Sequence, residues 1–111
     1  MKHVLYGGKS ILMDDQSADL LLEYAAAIPP DESGDTVDIT AVSPDGNTVE
    51  VTFLLNSNTE LVAETTHSEM VPPSNETAVA YMQERLDALR HPPAAQPEAG
   101  DGDFLQPPED I

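Results

Sequence analysis

The sequence predicts an α+β fold in two layers, β-β-α-β-β-β-α, with two helices on one face of an antiparallel sheet. Three observations carry this expectation. Apolar residues recur at helical spacing over residues 18–28 and again over 79–89. Between those stretches the period falls to two, with turn residues at 43–47 and 56–58. Two short apolar runs, 3–6 and 10–13, flank Gly7-Gly8-Lys9 near the start. Helices with one apolar stripe and a sheet with one apolar face bury both by stacking.

Each element has its own local reason. Gly7 and Gly8 supply the positive φ values of a tight hairpin turn. Asp14-Asp15 offers an N-cap and a favourable charge at a helix start. Ala18, Leu21, Leu22, Ala25 and Ile28 form the helical stripe, widened by Leu20, Tyr24 and Ala27, and Pro29-Pro30 stops it. Over 36–41 and 48–53 apolar and polar residues alternate, joined by Ser43-Pro44-Asp45-Gly46-Asn47 as a turn. A third alternating stretch, 60–65, follows Asn56-Ser57-Asn58 and completes an expected meander. Its apolar face holds Val37, Ile39, Ala41, Val49, Val51, Phe53, Leu61 and Ala63. Asn75 is expected to cap the second helix, whose buried stripe is Val79, Met82, Leu86 and Leu89.

Residues 1–90 are expected to form this domain, and 91–111 an acidic, Pro-rich, disordered tail. The tail holds five of the ten prolines, five acids and no Lys or Arg, too little apolar surface to offset chain entropy. The whole chain of 111 residues has 21 acids against 4 Lys and Arg, a net charge of −17. Residues 1–90 account for 16 of the acids and all 4 bases, so the domain itself carries −12.

That charge argues against direct nucleic-acid binding, which needs Lys and Arg to displace phosphate counterions. Anionic membrane surfaces are disfavoured for the same reason. No apolar run reaches the length of a secretion signal or a membrane span, so the expected location is cytoplasmic. The absence of Cys removes disulfides, thiolate nucleophiles and Cys-ligated zinc.

Motifs for cofactors or metals fail on spacing. Gly8-Lys9-Ser10 ends like a phosphate-binding loop, yet the required earlier glycine is replaced by His3, and a strand follows instead of a helix. Asp45-Gly46-Asn47 and Asp101-Gly102-Asp103 lack the twelve-residue calcium-loop pattern. No cofactor is expected. Glu64, His67 and Glu69 form the one cluster suited to acid–base or metal chemistry, with Thr65, Thr66 and Ser68 as conceivable nucleophiles. A solvated loop histidine is the simpler account of His67.

The order α-β-β-β-α from Asp15 to Arg90 resembles that of the double-stranded RNA-binding domain. Only the order is shared: that family needs lysines at the start of its last helix, where this chain has Pro73-Ser74-Asn75-Glu76. Small acidic α+β dimers among secretion chaperones and immunity proteins are similar in general character.

The functional expectation rests on the strand alternation, which puts Asp38, Thr40, Glu50, Thr52 and Glu64 on the sheet face away from the helices. Phe104 and Leu105 are two apolar anchors within the tail, a pattern that suits a docking peptide. The leading expectation is a non-enzymatic protein that acts by protein–protein contact with a basic partner, as an inhibitor, immunity protein or chaperone, with a homodimer also admitted. One rival makes the acidity an adaptation for solubility or high salt. Another is a small hydrolase or metal-dependent enzyme centred on His67.

Overall fold

The computed structural model describes residues 1–92. The first strand, β1 (Lys2–Tyr6), turns through Gly7 (φ 56°) and Gly8 (φ 83°) into β2 (Lys9–Met13). Both turn residues lie in the left-handed region that this two-residue turn requires, and Tyr6 faces Lys9 across it. Helix α1 (Asp15–Ala27) follows at once, with Asp14 as its N-cap accepting the Ser17 N–H at 2.9 Å. Strands β3 (Asp35–Val42) and β4 (Thr48–Leu55) form a long hairpin, β5 (Val62–Thr65) is a short strand, and α2 (Glu76–Arg90) closes the order. The architecture is the expected two-layer α+β fold.

The five strands form one antiparallel sheet in the order β4-β3-β2-β1-β5. This corrects the expected meander at one point: β5 pairs with β1 at the far edge, Leu5 opposite Val62 and His3 opposite Glu64. The cause lies in the 56–59 turn, which closes on itself. The Asn56 N–H donates to Thr59 Oγ1 (2.7 Å), and the Thr59 N–H returns to the Asn56 carbonyl (3.1 Å). The chain leaves that turn heading across the end of the sheet, with Leu61 packed on the core.

The sheet coils strongly. Tyr6 of β1 packs edge-on against Phe53 of β4 with ring centroids 5.2 Å apart, although two strands lie between theirs. Its hydroxyl donates to the Leu54 carbonyl at 2.9 Å. Val4, Met13, Leu21, Ile39, Phe53, Leu55 and Met82 are wholly buried between the layers. Of the expected apolar face, Val37, Ile39, Ala41 and Phe53 are buried, and Val49, Val51, Leu61 and Ala63 are partly so. Helix α1 packs against both the sheet and α2, which explains its broad apolar surface; α2 lies beside it against β3 and inserts Met82 and Leu86, with Val79 and Leu89 beside them. No helix among the described residues is long and apolar enough to cross a membrane.

Candidate functional site

The outer face of the β3–β4 hairpin is built by its register. Thr40 lies opposite Glu50, and Asp38 opposite Thr52. Each carboxylate therefore faces a threonine, and this checkerboard avoids the direct acid–acid opposition that would destabilise the pair. The Thr52 hydroxyl donates to Asp38 Oδ1 at 2.6 Å, and the Thr40 hydroxyl to Glu50 Oε2 at 3.3 Å. Both are cross-strand pairs of the close, non-hydrogen-bonded kind, since the main chain of Thr40 points away from β4.

Three of the cationic groups pair on α1. The amino terminus pairs with Asp15 (3.2 Å), Lys2 with Asp19 (2.6 Å) and Arg90 with Glu23 (3.4 Å), all three carboxylates on α1. Among the described residues no Lys, Arg or amino terminus lies within 4 Å of Asp38 or Glu50. Asp15, Asp19 and Glu23 thus have cationic partners, whereas Asp38 and Glu50 are held by threonine hydroxyls.

Glu64 does not join them. Its strand forms the opposite edge of the sheet, where Glu64 Oε1 lies 4.0 Å from His3 Nδ1. The outer face differs between its two ends: Asp38 and Glu50 with their threonines on β3–β4, and on β1–β5 the exposed Leu5 (40%) and Val62 (57%) next to the His3–Glu64 pair. The alternation around Leu61-Val62-Ala63 marks Val62 as outward, but only the β1 pairing shows that Leu5 stands beside it. Phe104 and Leu105, with residues 93–111 as a whole, lie outside the described residues.

A groove of about 600 Å³ runs from this acidic face to α2, lined by Asp38, Thr40, Glu50, Asn75, Glu76 and Tyr81 among others. Asn75 closes one end. Its Oδ1 accepts the Thr40 N–H (2.7 Å), while its Nδ2 donates to the Thr40 carbonyl and to Asp14 Oδ1, both at 2.9 Å. Asn75 occupies the expected N-cap position of α2, its carbonyl accepting the Val79 N–H at 2.8 Å, but its side chain makes no capping bond to the helix. The carboxamide instead ties β3, the cap of α1 and the start of α2 together. Although partial burial of the Asp14 carboxyl pushes its pKa up, the Asn75 and Ser17 donors hold it below the usual value.

At the other end Asp35 Oδ2 accepts hydroxyl hydrogen bonds from Tyr24 (2.6 Å) and Tyr81. Burial pushes the Asp35 carboxyl up, and the two tyrosines, the Thr36 N–H and nearby Arg85 more than offset this, leaving it low. Tyr24 is pushed up to about 12, first by burial and then by its bond to Asp35. No sequence pattern signals this cluster, because its members come from α1, β3 and α2.

His67 is exposed and lines none of the grooves described between the elements. Among the described residues no three His, Asp or Glu side chains stand close enough to hold a metal ion. Comparison of the chain with protein-family models, with curated proteins and with solved structures finds no match in any of the three.

Proposed function

We propose that the protein acts by binding a basic protein partner through the outer face of β3 and β4, centred on Asp38, Thr40, Glu50 and Thr52. The observation that supports this reading is the allocation of charge. With 16 acids and 4 bases in residues 1–90, the amino terminus, Lys2 and Arg90 pair with carboxylates of α1, while Asp38 and Glu50 have only threonine hydroxyls as partners. Such a face steers and orients an oppositely charged partner more than it adds raw affinity. Inhibitors, immunity proteins and chaperones all work by contacts of this kind.

The test is capture from an extract of the native host at low salt, followed by a salt gradient. The expected result is a basic protein released as ionic strength rises, because exposed charge pairs are screened beyond about 10 Å at 0.1 M salt. Retention of neutral or acidic proteins only, or capture indifferent to salt, contradicts the proposal. A fold that forms only in molar salt would give the acidity to the environment instead.

A further inference from the structure

The groove offers a partner more than charge. β2 pairs with β3 only where Leu12 faces Val42, because the chain of β2 turns at Asp14 into α1. From Thr40 back to Thr36, β3 therefore has no strand beside it on that side. The Asn75 carboxamide occupies the first vacant place and bonds to Thr40 as a neighbouring peptide group would, accepting from its N–H and donating to its carbonyl.

Main-chain groups at alternate positions of a strand point the same way, so those of Asp38 and Thr36 share the Thr40 edge. The Thr36 N–H folds back onto Asp35 Oδ1 at 2.8 Å. The Asp38 N–H and carbonyl and the Thr36 carbonyl remain, and no main chain among the described residues pairs with them. Helix α2 forms the opposite wall, running antiparallel to β3 from Asn75 beside Thr40 to Tyr81 beside Asp35. The residues that line this space include Asp38, Glu50 and Glu76 and no Lys or Arg.

We propose that this groove takes an extended segment of the partner, bearing lysine or arginine at alternate positions, by strand addition to the vacant Thr36–Asp38 edge of β3. The inference rests on the basic-partner reading above and adds its mode. Main-chain bonds to Asp38 and Thr36 supply the affinity, as in other cases of added strands. A cationic side chain beside Asp38 on the outer face makes a favourable cross-strand pair. Charge selects the occupant: residues 93–111 of this chain carry five acids and no base, and a second copy brings a domain of −12. Either would be repelled where a basic segment is drawn in.

The probe is a blocked pentapeptide of alternating Lys and Val, added to the full chain and followed by hydrogen exchange of the main-chain amides. Two comparison peptides accompany it: one N-methylated on the edge that meets β3, the other with Glu in place of Lys. The expected result is exchange at Asp38 slowed by about tenfold or more with the Lys peptide, and by neither comparison peptide. Equal binding of the N-methylated peptide, or unchanged exchange at Asp38 while the Lys peptide binds, overturns strand addition and leaves the basic-partner reading standing. Equal binding of the Lys and Glu peptides overturns both. No binding of the Lys peptide overturns the groove as the docking site.

Discussion

Asn75 completes the open edge of Thr40, accepting its N–H at 2.7 Å and donating to its carbonyl at 2.9 Å across 35 residues of sequence. The same carboxamide reaches Asp14, so one side chain joins β3, α1 and α2. Asn75→Ala leaves the Thr40 main chain and one Asp14 oxygen without these partners. The expected cost is about 1–3 kcal/mol, the range for stranding part-buried polar groups. Urea unfolding measures it, with a lower midpoint at an unchanged slope. Asn75→Asp keeps the acceptor but loses both donated bonds and sets a second charge beside Asp14, so it is expected to be no milder.

The two faces of β4 give a matched pair of substitutions. Phe53 is fully buried against Tyr6, whereas its neighbour Leu54 is half exposed on the outer face. Phe53→Ala is expected to destabilise by about 3–5 kcal/mol, and Leu54→Ala by no more than about 0.5. Similar losses from the two would mean that the faces are reversed.

Gly34 has φ 110°, and a Cβ built there would overlap the Leu55 carbonyl oxygen. Gly34→Ala meets both the left-handed backbone and that main-chain contact, which cannot swing aside as a side-chain end can. A loss of at least about 1–3 kcal/mol in thermal or urea unfolding is expected.

The Tyr24–Asp35–Tyr81 cluster gives stability a pH dependence at both ends. Asp35 titrates lower in the folded protein than in the unfolded chain, so its contribution is full above the ordinary carboxylate range and fades as pH falls below it. Tyr24 titrates higher when folded, so its contribution is full below about 10 and is lost as pH rises towards about 12. Asp35→Asn is expected to flatten the acid limb of the stability profile. Tyrosinate absorbance should show Tyr24 ionising above the free-tyrosine range and together with alkaline unfolding. Ionisation of Tyr24 in the ordinary range, without unfolding, contradicts the cluster.

Local structure was legible because each element carries its own signal. Gly7-Gly8, Asp14, Pro29-Pro30 and the two alternating stretches act within a few residues, and the folded chain uses them as expected. Strand pairing was not legible in the same way. Alternation over 60–65 shows that a strand forms and which side is apolar, but the choice between β4 and β1 depends on where the 56–59 turn aims the chain. That choice moved Glu64 away from the other four candidate residues while leaving its face unchanged. Asn75 was hidden for a related reason: a polar residue before a helix has a local explanation, and its real partners lie 35 and 61 residues away.

The central claim, that the β3–β4 face and not bulk acidity binds the partner, is tested most directly by two variants with the same change in net charge. One is Asp38→Asn with Glu50→Gln; the other is Glu60→Gln with Glu84→Gln, two exposed acids outside the groove. The measurement is the Kd of the captured basic partner for each, at one low salt concentration. The account predicts a loss of about tenfold or more for the first variant and little change for the second. Equal losses from both would assign the binding to overall charge and contradict it.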